Sequence, residues 1–212
     1  MRRPEPHDLP PCPTLELERD LWERGLRRVG GVDEAGRGAL AGPVAAAIVI
    51  LPPDPNLSQV LKGVRDSKQM TPHQREHWAE VIKRLALAWE VGFASAGEID
   101  AIGIVPATRL AVQRALKALS QTPEHLLLDY LVLPNCPIPQ SSLVKGDRRS
   151  LSVAAASILA KTARDAFMRA LAEEHPGYGL AQNKGYGTRR HRDAIRRLGH
   201  SPIHRRSFSL KA

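Results

Sequence analysis

Residues 28–51 read RVGGVDEAGRGALAGPVAAAIVIL, two mostly apolar runs with a glycine-rich loop between them. Residues 28–33 are predicted to form one strand. Residues 44–51 carry no helix start or stop signal and are predicted to form a second, buried strand. The loop over residues 34–43 is too short to contain a crossover helix, so the two strands should be antiparallel neighbours.

The chain on either side of this pair is predicted to alternate helices with short strands. The clearest helix start is Thr71 as N-cap, with Pro72 at the first helical position and Gln74 completing a capping box. The other predicted strands cover residues 89–94, 126–129 and 141–144, and the predicted helices lie near 17–22 and over 71–88, 106–119, 152–174 and 188–198. This order predicts an α/β fold with a mixed five-stranded sheet flanked by helices.

The composition suits one domain. The 212 residues are 42% hydrophobic but only 4% aromatic, so small aliphatic side chains must fill the core and allow close helix–sheet contacts. Five prolines among the first 13 residues predict a disordered tail over residues 1–14. A single domain is predicted over residues 15–212, with a basic helical segment over its last part, about 176–212.

Positive charge is concentrated near one end of the sequence. The chain has 31 Lys and Arg against 22 Asp and Glu, a net charge of +9. Residues 184–206 hold eight Lys or Arg and one acid, Asp193. Such a block is expected for a protein that binds a polyanion. A solvated helix face is the other interpretation, and acids elsewhere that could hold metal ions favour the polyanion.

Several classes of protein are excluded by what the sequence lacks. Cys12 and Cys136 are far apart without CxxC spacing, so neither a zinc site nor a disulfide framework is predicted. No run of about 18 apolar residues is present, and no apolar stretch of a secretory signal is visible. A cytoplasmic protein without membrane contact is therefore expected.

Acidic side chains stand where predicted strands leave the sheet. Asp33 and Glu34 end the first strand, Asp129 ends the fourth, and Asp147 follows the fifth. Carboxylates gathered at strand ends repel one another unless cations neutralise them, and hard oxygen ligands suit Mg²⁺ or Mn²⁺. Each acid could instead cap a helix or lie in a turn. Adjacent strand residues face opposite sides, so Asp33 and Glu34 share a site only if the strand ends or bulges there.

The glycine-rich loop has three functional interpretations. As a P-loop, it lacks the lysine and the hydroxyl residue that should follow Gly36. As a dinucleotide fingerprint it matches G-x-G-x-x-A, but it leads into a predicted strand rather than a helix. In the third interpretation, the glycines open the backbone to a sugar–phosphate chain and Arg37 supplies a cation for a phosphate. A plain tight turn would not explain an arginine beside paired acids.

Many separate blocks of the sequence resemble, in order, the ribonuclease HII family, the bacterial type 2 ribonucleases H. The blocks are residues 31–38 with 40–43, Asp66-Ser67-Lys68, 99–108, Leu128-Asp129, Lys145-Gly146-Asp147, SVAAASILAK at 152–161, Arg164-Asp165, 183–188 with His191, and 204–208. The likeness covers about residues 17–208, and so many ordered blocks do not arise by chance.

The resemblance implies an RNase H-like fold and a metal-dependent endoribonuclease. Its catalytic and metal-binding residues would be Asp33, Glu34, Asp129 and Asp147. These carboxylates would hold two divalent ions, Mg²⁺ or Mn²⁺, that activate a water and stabilise the leaving 3′-oxygen. The products would carry 5′-phosphate and 3′-hydroxyl ends.

The resemblance also implies the substrate and the residues that contact it. The substrates would be RNA–DNA hybrids and DNA duplexes with embedded ribonucleotides, cut on the 5′ side, with a role in removing ribonucleotides from DNA. The loop residues that would read the ribose 2′-hydroxyl are Gly36, Arg37 and Gly38, and further contacts would come from Lys68, Lys184 and Tyr186. The exposed arginines of the last helix would hold the duplex backbone. A monomer is expected.

Two positions depart from the family, and two rival functions stay open. Ala39 stands where proline is common, and Tyr130 stands where glycine is common, which bears on loop geometry. His191 shares an apolar stripe with Ile195 and is predicted to be structural. One rival is a non-catalytic duplex-binding module whose acids are caps. The other is a nuclease of the same fold that cuts all-DNA duplexes equally well.

Overall fold

The computed structural model describes residues 9–65 and 67–210. In it, residues 28–51 form the antiparallel pair that the sequence predicts. β1 (Val29–Ala35) pairs with β2 (Val44–Ile50) along its length, ending with Ala35 opposite Ala45. β1 therefore continues past its predicted end at Asp33, because its ladder with β2 holds through the next two residues.

A mixed five-stranded sheet is completed by β3 (Ala88–Ala94), β4 (His125–Asp129) and β5 (Gln140–Leu143). The strand order is β3-β2-β1-β4-β5. β2 is antiparallel to both neighbours, whereas β1, β4 and β5 run parallel. The carboxyl ends of three strands therefore meet at one edge, where open α/β sheets place their ligands. The predicted fold class is confirmed.

Helices cover both faces of this sheet. In chain order they are α1 (Glu16–Glu23), α2 (Leu57–Val60), α3 (Pro72–Leu85), α4 (Ala96–Ile102), α5 (Ile104–Ala118), α6 (Gly146–Arg149), α7 (Leu151–Glu174), α8 (Leu180–Asn183) and α9 (Arg189–Leu198). α7 packs on β1 and β2, and α3 lies against α7. α5 packs on β2 and β3 from the opposite face, so two apolar layers enclose the sheet.

α7 lies directly on β1 because the facing residues are small. A Cβ built on Gly31 would lie 2.2 Å from the carbonyl carbon of Ser152. Ala154 and Ala155 of the same helix are fully buried. The close helix–sheet contact expected from the composition is confirmed.

The predicted helix boundaries differ from the structure by a few residues. The capping box at Thr71 is present, but α3 ends at Leu85 rather than near residue 88, because β3 has already begun there. α7 begins one residue early, after Ser150 as its N-cap, and α9 begins at Arg189. The short helices α2, α4, α6 and α8 were not predicted, since four to seven residues carry little periodicity.

Part of the range predicted as a tail packs on the domain. Pro13 is buried, and Thr14 forms a parallel bridge with Ser150. Residues 1–8 of that range lie outside the described residues, and the division into tail and domain stays a prediction. Cys12 and Cys136 are free thiols. No helix in the described part of the chain is long and apolar enough to cross a membrane.

Candidate active site

Asp33 is the buried acid at the centre of the candidate site, with only 5% of its surface exposed. Strand alternation directs its side chain toward α7, where Ser157 gives it a hydrogen bond. Burial raises the pKa of Asp33 well above its ordinary value, and the charges of Glu34, Asp129 and Asp147 raise it further. The four predicted carboxylates therefore act on one another electrostatically.

The position of Glu34 differs from the expectation that β1 would end or bulge at Asp33 and Glu34. β1 is regular at this point and neither ends nor bulges, so Asp33 and Glu34 belong to opposite faces of the strand. Glu34 nevertheless raises the pKa of Asp33, so the two carboxyl groups are close enough to repel. A carboxylate oxygen of Glu34 accepts a hydrogen bond from Arg37 Nη1 at 2.9 Å. Arg37, predicted to contact a phosphate, is here the partner of Glu34.

Asp129 and Asp147 approach Asp33 from the neighbouring strands. The β1–β4 pairing runs to the residue before each acid, so Asp129 stands beside Asp33 on the same face. The Gly146 N–H donates to Asp129 Oδ1 at 2.6 Å, which brings the start of α6 against the end of β4. Asp147, the next residue of α6, is 6% exposed. Burial raises the pKa of Asp129, whereas the Gly146 N–H lowers it.

The four carboxylates are not arranged in this structure as the ligands of a metal ion. Within residues 9–65 and 67–210, no group of three or more Asp, Glu, His or Cys side chains is arranged to hold a metal ion. Arg37 pairs with Glu34, the Gly146 N–H donates to Asp129, and Ser157 gives a hydrogen bond to Asp33. The donor set still fits a hard divalent cation. It consists of carboxylates whose mutual repulsion raises a pKa, and a bound cation relieves that repulsion.

The two glycines of the predicted substrate loop have different surroundings. Gly36 has a φ of 93°, and a Cβ built on it would lie 1.9 Å from Arg164 Nε. Gly38 is exposed, and a Cβ there would meet nothing within 4 Å. Gly36 is therefore required by the packing, whereas Gly38 leaves open space above the loop.

Two buried arginines hold the loop by its carbonyl groups. Arg164 Nε donates to the Pro43 carbonyl at 2.8 Å. Arg205 donates to the carbonyls of Gly42 and Arg37, at 3.0 and 2.9 Å. Because the carbonyl oxygens are engaged by protein, the loop has a fixed shape beside the carboxylates.

Tyr186 lies against this loop. Ala39 and Tyr186 form an isolated antiparallel bridge. Arg164 and Lys161 lie over the tyrosine ring, at 5.3 and 5.5 Å from its centroid. His191 is buried and its Nδ1 bonds to the Tyr186 carbonyl at 3.0 Å, in agreement with the structural role predicted for it.

Lys184 is held by the protein in this structure. Its backbone has a φ of 51°, and its carbonyl accepts a hydrogen bond from Arg164 Nη1 at 2.9 Å. Its ammonium group bonds to the Ala181 carbonyl. Burial lowers the pKa of Lys184. The Lys184 carbonyl therefore contacts the loop-holding arginine, while its half-buried side chain bonds to the turn that precedes it.

Lys68 lies on a 3₁₀ turn, Ser67–Gln69, that packs beside the acids. The Ser67 hydroxyl lies 2.9 Å from that of Ser157, the residue that hydrogen-bonds Asp33. Lys68 is exposed, and its charge offsets part of the rise that burial causes in the pKa of Asp129. Asp66 of the same family block lies outside the described residues. The turn thus brings a cation close to the carboxylates.

Most, but not all, of the basic side chains in residues 184–206 lie at the protein surface. Arg189, Arg190, Arg196 and Arg197 are exposed on α9. Arg205, counted with them in the sequence, is only 1% exposed and is a correction to that prediction. Its guanidinium is used inside the protein, on the carbonyls of the glycine loop.

The buried residues that support the site had no role in the sequence prediction. Arg164 is recognisable as a family residue, but a buried arginine has no sequence signature of its own. The one available signal is its position between Ala160 and Met168, which places it on the apolar stripe of α7. Ser157 lies on the same helix and is likewise buried.

Comparison with known proteins gives a consistent result. The family model described as Ribonuclease HII matches residues 30–211. Ribonuclease HII of Synechococcus sp. strain JA-3-3Ab is 56% identical over 199 residues, which are 93% of this chain and 88% of that protein. Ribonuclease HII of Moorella thermoacetica is 54% identical over 191 residues, 90% of this chain and 91% of that protein.

Solved structures agree with the sequence comparison. Ribonuclease H2 of Pyrococcus horikoshii is 26% identical with a TM-score of 0.71, covering 86% of this chain and 94% of that one. RNase HII of Archaeoglobus fulgidus, solved in complex with PCNA, is also 26% identical with a TM-score of 0.71, covering 87% and 96%.

Proposed function

The chain belongs to the ribonuclease HII family and is an endoribonuclease, and from that premise we propose that it cuts 5′ of ribonucleotides embedded in duplex DNA and hydrolyses the RNA strand of RNA–DNA hybrids. The observation that carries the proposal is the position of Asp33 and Asp129, side by side on the parallel strands β1 and β4. Asp147 adds its charge to the same cluster. Removal of ribonucleotides from DNA is the corresponding role.

Asp33, Glu34, Asp129 and Asp147 would hold two divalent ions, Mg²⁺ or Mn²⁺. When bound, such ions supply the positive charge that lowers the pKa of a water and stabilises the leaving oxygen. The protein's own contribution is to keep Asp33 buried and Asp129 fixed by the Gly146 N–H. The raised pKa of Asp33 supports this role, because burial, followed by the neighbouring negative charges, makes its ionised form costly.

Selection of a ribonucleotide would depend on the loop and Tyr186. The open space above Gly38 lets a sugar approach the backbone. Arg37 can exchange its bond with Glu34 for a substrate phosphate, because its side chain is 36% exposed. Tyr186, held under Lys161 and Arg164, offers a ring for stacking and a hydroxyl for the 2′-oxygen.

The test uses a DNA duplex with one ribonucleotide, with Mg²⁺ or Mn²⁺, and an all-DNA duplex as substrate control. Wild type is compared with Asp33→Asn and with Asp20→Asn, an equal change at an exposed acid on α1. Wild type and Asp20→Asn are expected to cut 5′ of the ribonucleotide and leave 5′-phosphate ends. The cleavage rate of Asp33→Asn should fall by more than the ~10–100-fold that is typical when a residue that only supports a metal ligand is changed.

Each contrary result selects another function. Tight duplex binding without cleavage by wild type, with either metal, would favour the non-catalytic binding module. Equal cutting of the all-DNA duplex would favour a DNA-directed nuclease. Duplex affinity that does not fall with salt would remove the exposed arginines of α9 from the binding surface.

A further inference from the structure

A carboxylate that the proposed reaction does not use lies buried at the start of the longest helix. Glu18 belongs to α1 and is fully buried. Its Oε1 accepts hydrogen bonds from the hydroxyls of Ser150 and Ser152, both at 2.6 Å, and from the Ser152 N–H at 2.9 Å. A buried carboxyl group is costly unless it is hydrogen-bonded, and the three donors on Oε1 offset part of that cost.

The segment before Glu18 holds the same junction by its backbone. Thr14 accepts a hydrogen bond from the Leu151 N–H at 2.9 Å and donates its own N–H to the Arg149 carbonyl at 3.2 Å. These bonds form the Thr14–Ser150 bridge. Residues 14–18 thus fix the connection between α6 and α7 from two directions.

This connection determines where Asp147 lies. α6 is a single turn that begins at Gly146, and the Ser150 N–H closes it onto the Gly146 carbonyl at 2.9 Å. Gly146 in turn donates to Asp129. Ser150 is also the N-cap of α7, since its hydroxyl accepts the Val153 N–H at 3.2 Å. A short turn has little stability of its own, so its position depends on the residues at its ends.

We propose that Glu18 is a positioning residue for Asp147, acting through Ser150 and Ser152. The segment of residues 14–18, which precedes the residues that the family model matches, then belongs to the support of the active site. Glu18 also accepts the N–H of Ser152, which lies in the first turn of α7 and has no partner within that helix of 24 residues. This inference rests on the proposed function, because it assigns Asp147 to the metal-binding carboxylates.

The test measures Mn²⁺ binding to the substrate-free protein by titration calorimetry, together with kcat and KM for the ribonucleotide-containing duplex. Glu18→Ala leaves three donors without their acceptor and should weaken Mn²⁺ binding by about 10–100-fold, as for outer-shell residues elsewhere. kcat should fall with KM little changed. Glu18→Gln keeps the accepting oxygen and should recover most of the loss. Glu16→Ala, at an exposed acid of the same helix, is the matched control.

A folded Glu18→Ala protein with the Mn²⁺ affinity and kcat of wild type would overturn the proposal and leave Glu18 a purely structural residue. Should that variant not fold, Ser152→Ala removes a single donor and is expected to weaken Mn²⁺ binding in the same direction. Unchanged affinity there would also overturn the proposal. Wild type that binds Mn²⁺ but does not cleave would refute the proposed function only, whereas wild type that does neither refutes both.

Discussion

At the scale of single residues, Gly36 and Gly38 give a direct comparison within one loop. Gly36 combines a φ of 93° with a Cβ position 1.9 Å from Arg164 Nε, whereas Gly38 has open space. Gly36→Ala is expected to lower the free energy of unfolding by about 2–3 kcal/mol, from backbone strain and displacement of the arginine. Gly38→Ala should change it by less than about 0.5 kcal/mol. Urea denaturation of both variants measures the difference.

The same pair separates folding from substrate contact. Under the proposed function, Gly38→Ala places a methyl group where the sugar approaches, so cleavage should fall while the unfolding midpoint stays that of wild type. Equal cleavage by Gly38→Ala and wild type would exclude a close approach at this residue.

Tyr130 departs from the family at a position that favours glycine for a physical reason. It has a φ of 47° and its side chain is largely exposed. A left-handed conformation costs a residue with a side chain about 1–2 kcal/mol, partly offset by the greater freedom of glycine in the unfolded chain. Tyr130→Gly should therefore raise the free energy of unfolding by about 0.5–1 kcal/mol. A lower thermal midpoint for Tyr130→Gly would show that the ring makes a stabilising contact.

Site residues could be predicted where the chain itself carries the signal. Asp33 and Asp129 each come after an apolar run in the sequence, and that local pattern predicted that both lie near one edge of the sheet. Arg164 and Arg205 could not be predicted in the same way. Their partners are carbonyl groups 121 and 163 residues away, and a buried arginine differs from a surface arginine only in such distant contacts.

At the scale of elements, long and strongly patterned segments were predictable and short ones were not. The Thr71 capping box and the apolar run of β2 are local signals, and both are present in the structure. The end of β1 was predicted two residues early, because acidic residues are typical of strand ends while its ladder with β2 continues. The position of α6 depends on neighbouring segments, including residues 14–18, so no local sequence pattern predicts this helix.

Two histidines join α9 to the segment that follows it, and their hydrogen bonds require both rings to be neutral. His204 Nδ1 accepts the Ser201 N–H at 3.0 Å, so its Nε2 carries the proton that faces His191 Nε2 at 3.2 Å. Burial, followed by the charges of His191 and His200, lowers the pKa of His204 to about 4. The unfolded chain binds this proton at its ordinary pKa of about 6.5.

The free energy of unfolding should therefore fall as the pH is lowered from about 6.5 to about 4. In this range the unfolded chain binds a proton at His204 that the folded chain does not bind. The loss from His204 should be on the order of 1–3 kcal/mol, read from urea unfolding midpoints across this range. His204→Gln can keep both hydrogen bonds without titrating and should show a shallower dependence. Parallel curves for the two proteins would exclude His204 as the cause.

At the scale of the whole molecule, stability should depend on divalent cations through the carboxylate cluster. A ligand that binds only the folded chain, present at 100 times its Kd, adds about 2.7 kcal/mol. For a protein of this size that corresponds to roughly 5–10 °C in thermal midpoint. Mn²⁺ should raise the midpoint of wild type by about this amount, and a chelator should reverse the change.

Asp33→Asn serves as the control for this shift. It removes a carboxyl group whose ionised form is disfavoured by burial and by the charges of Glu34, Asp129 and Asp147, so without cations it should be at least as stable as wild type. Its response to Mn²⁺ should be much smaller. The same increase in both proteins would place cation binding elsewhere on the molecule.

The arginines that hold the glycine loop are made after the loop itself, so the loop gains these contacts late in synthesis. Residues 28–51 are made before Arg164 and Arg205, the two arginines that bond to their loop carbonyls in the folded chain. At about 5–20 residues per second, the interval between loop and second arginine lasts roughly 8–30 seconds. A growing polypeptide on the ribosome therefore already carries Asp33 while its glycine-rich loop lacks these contacts. The loop can take its final shape only after Arg205 has been made.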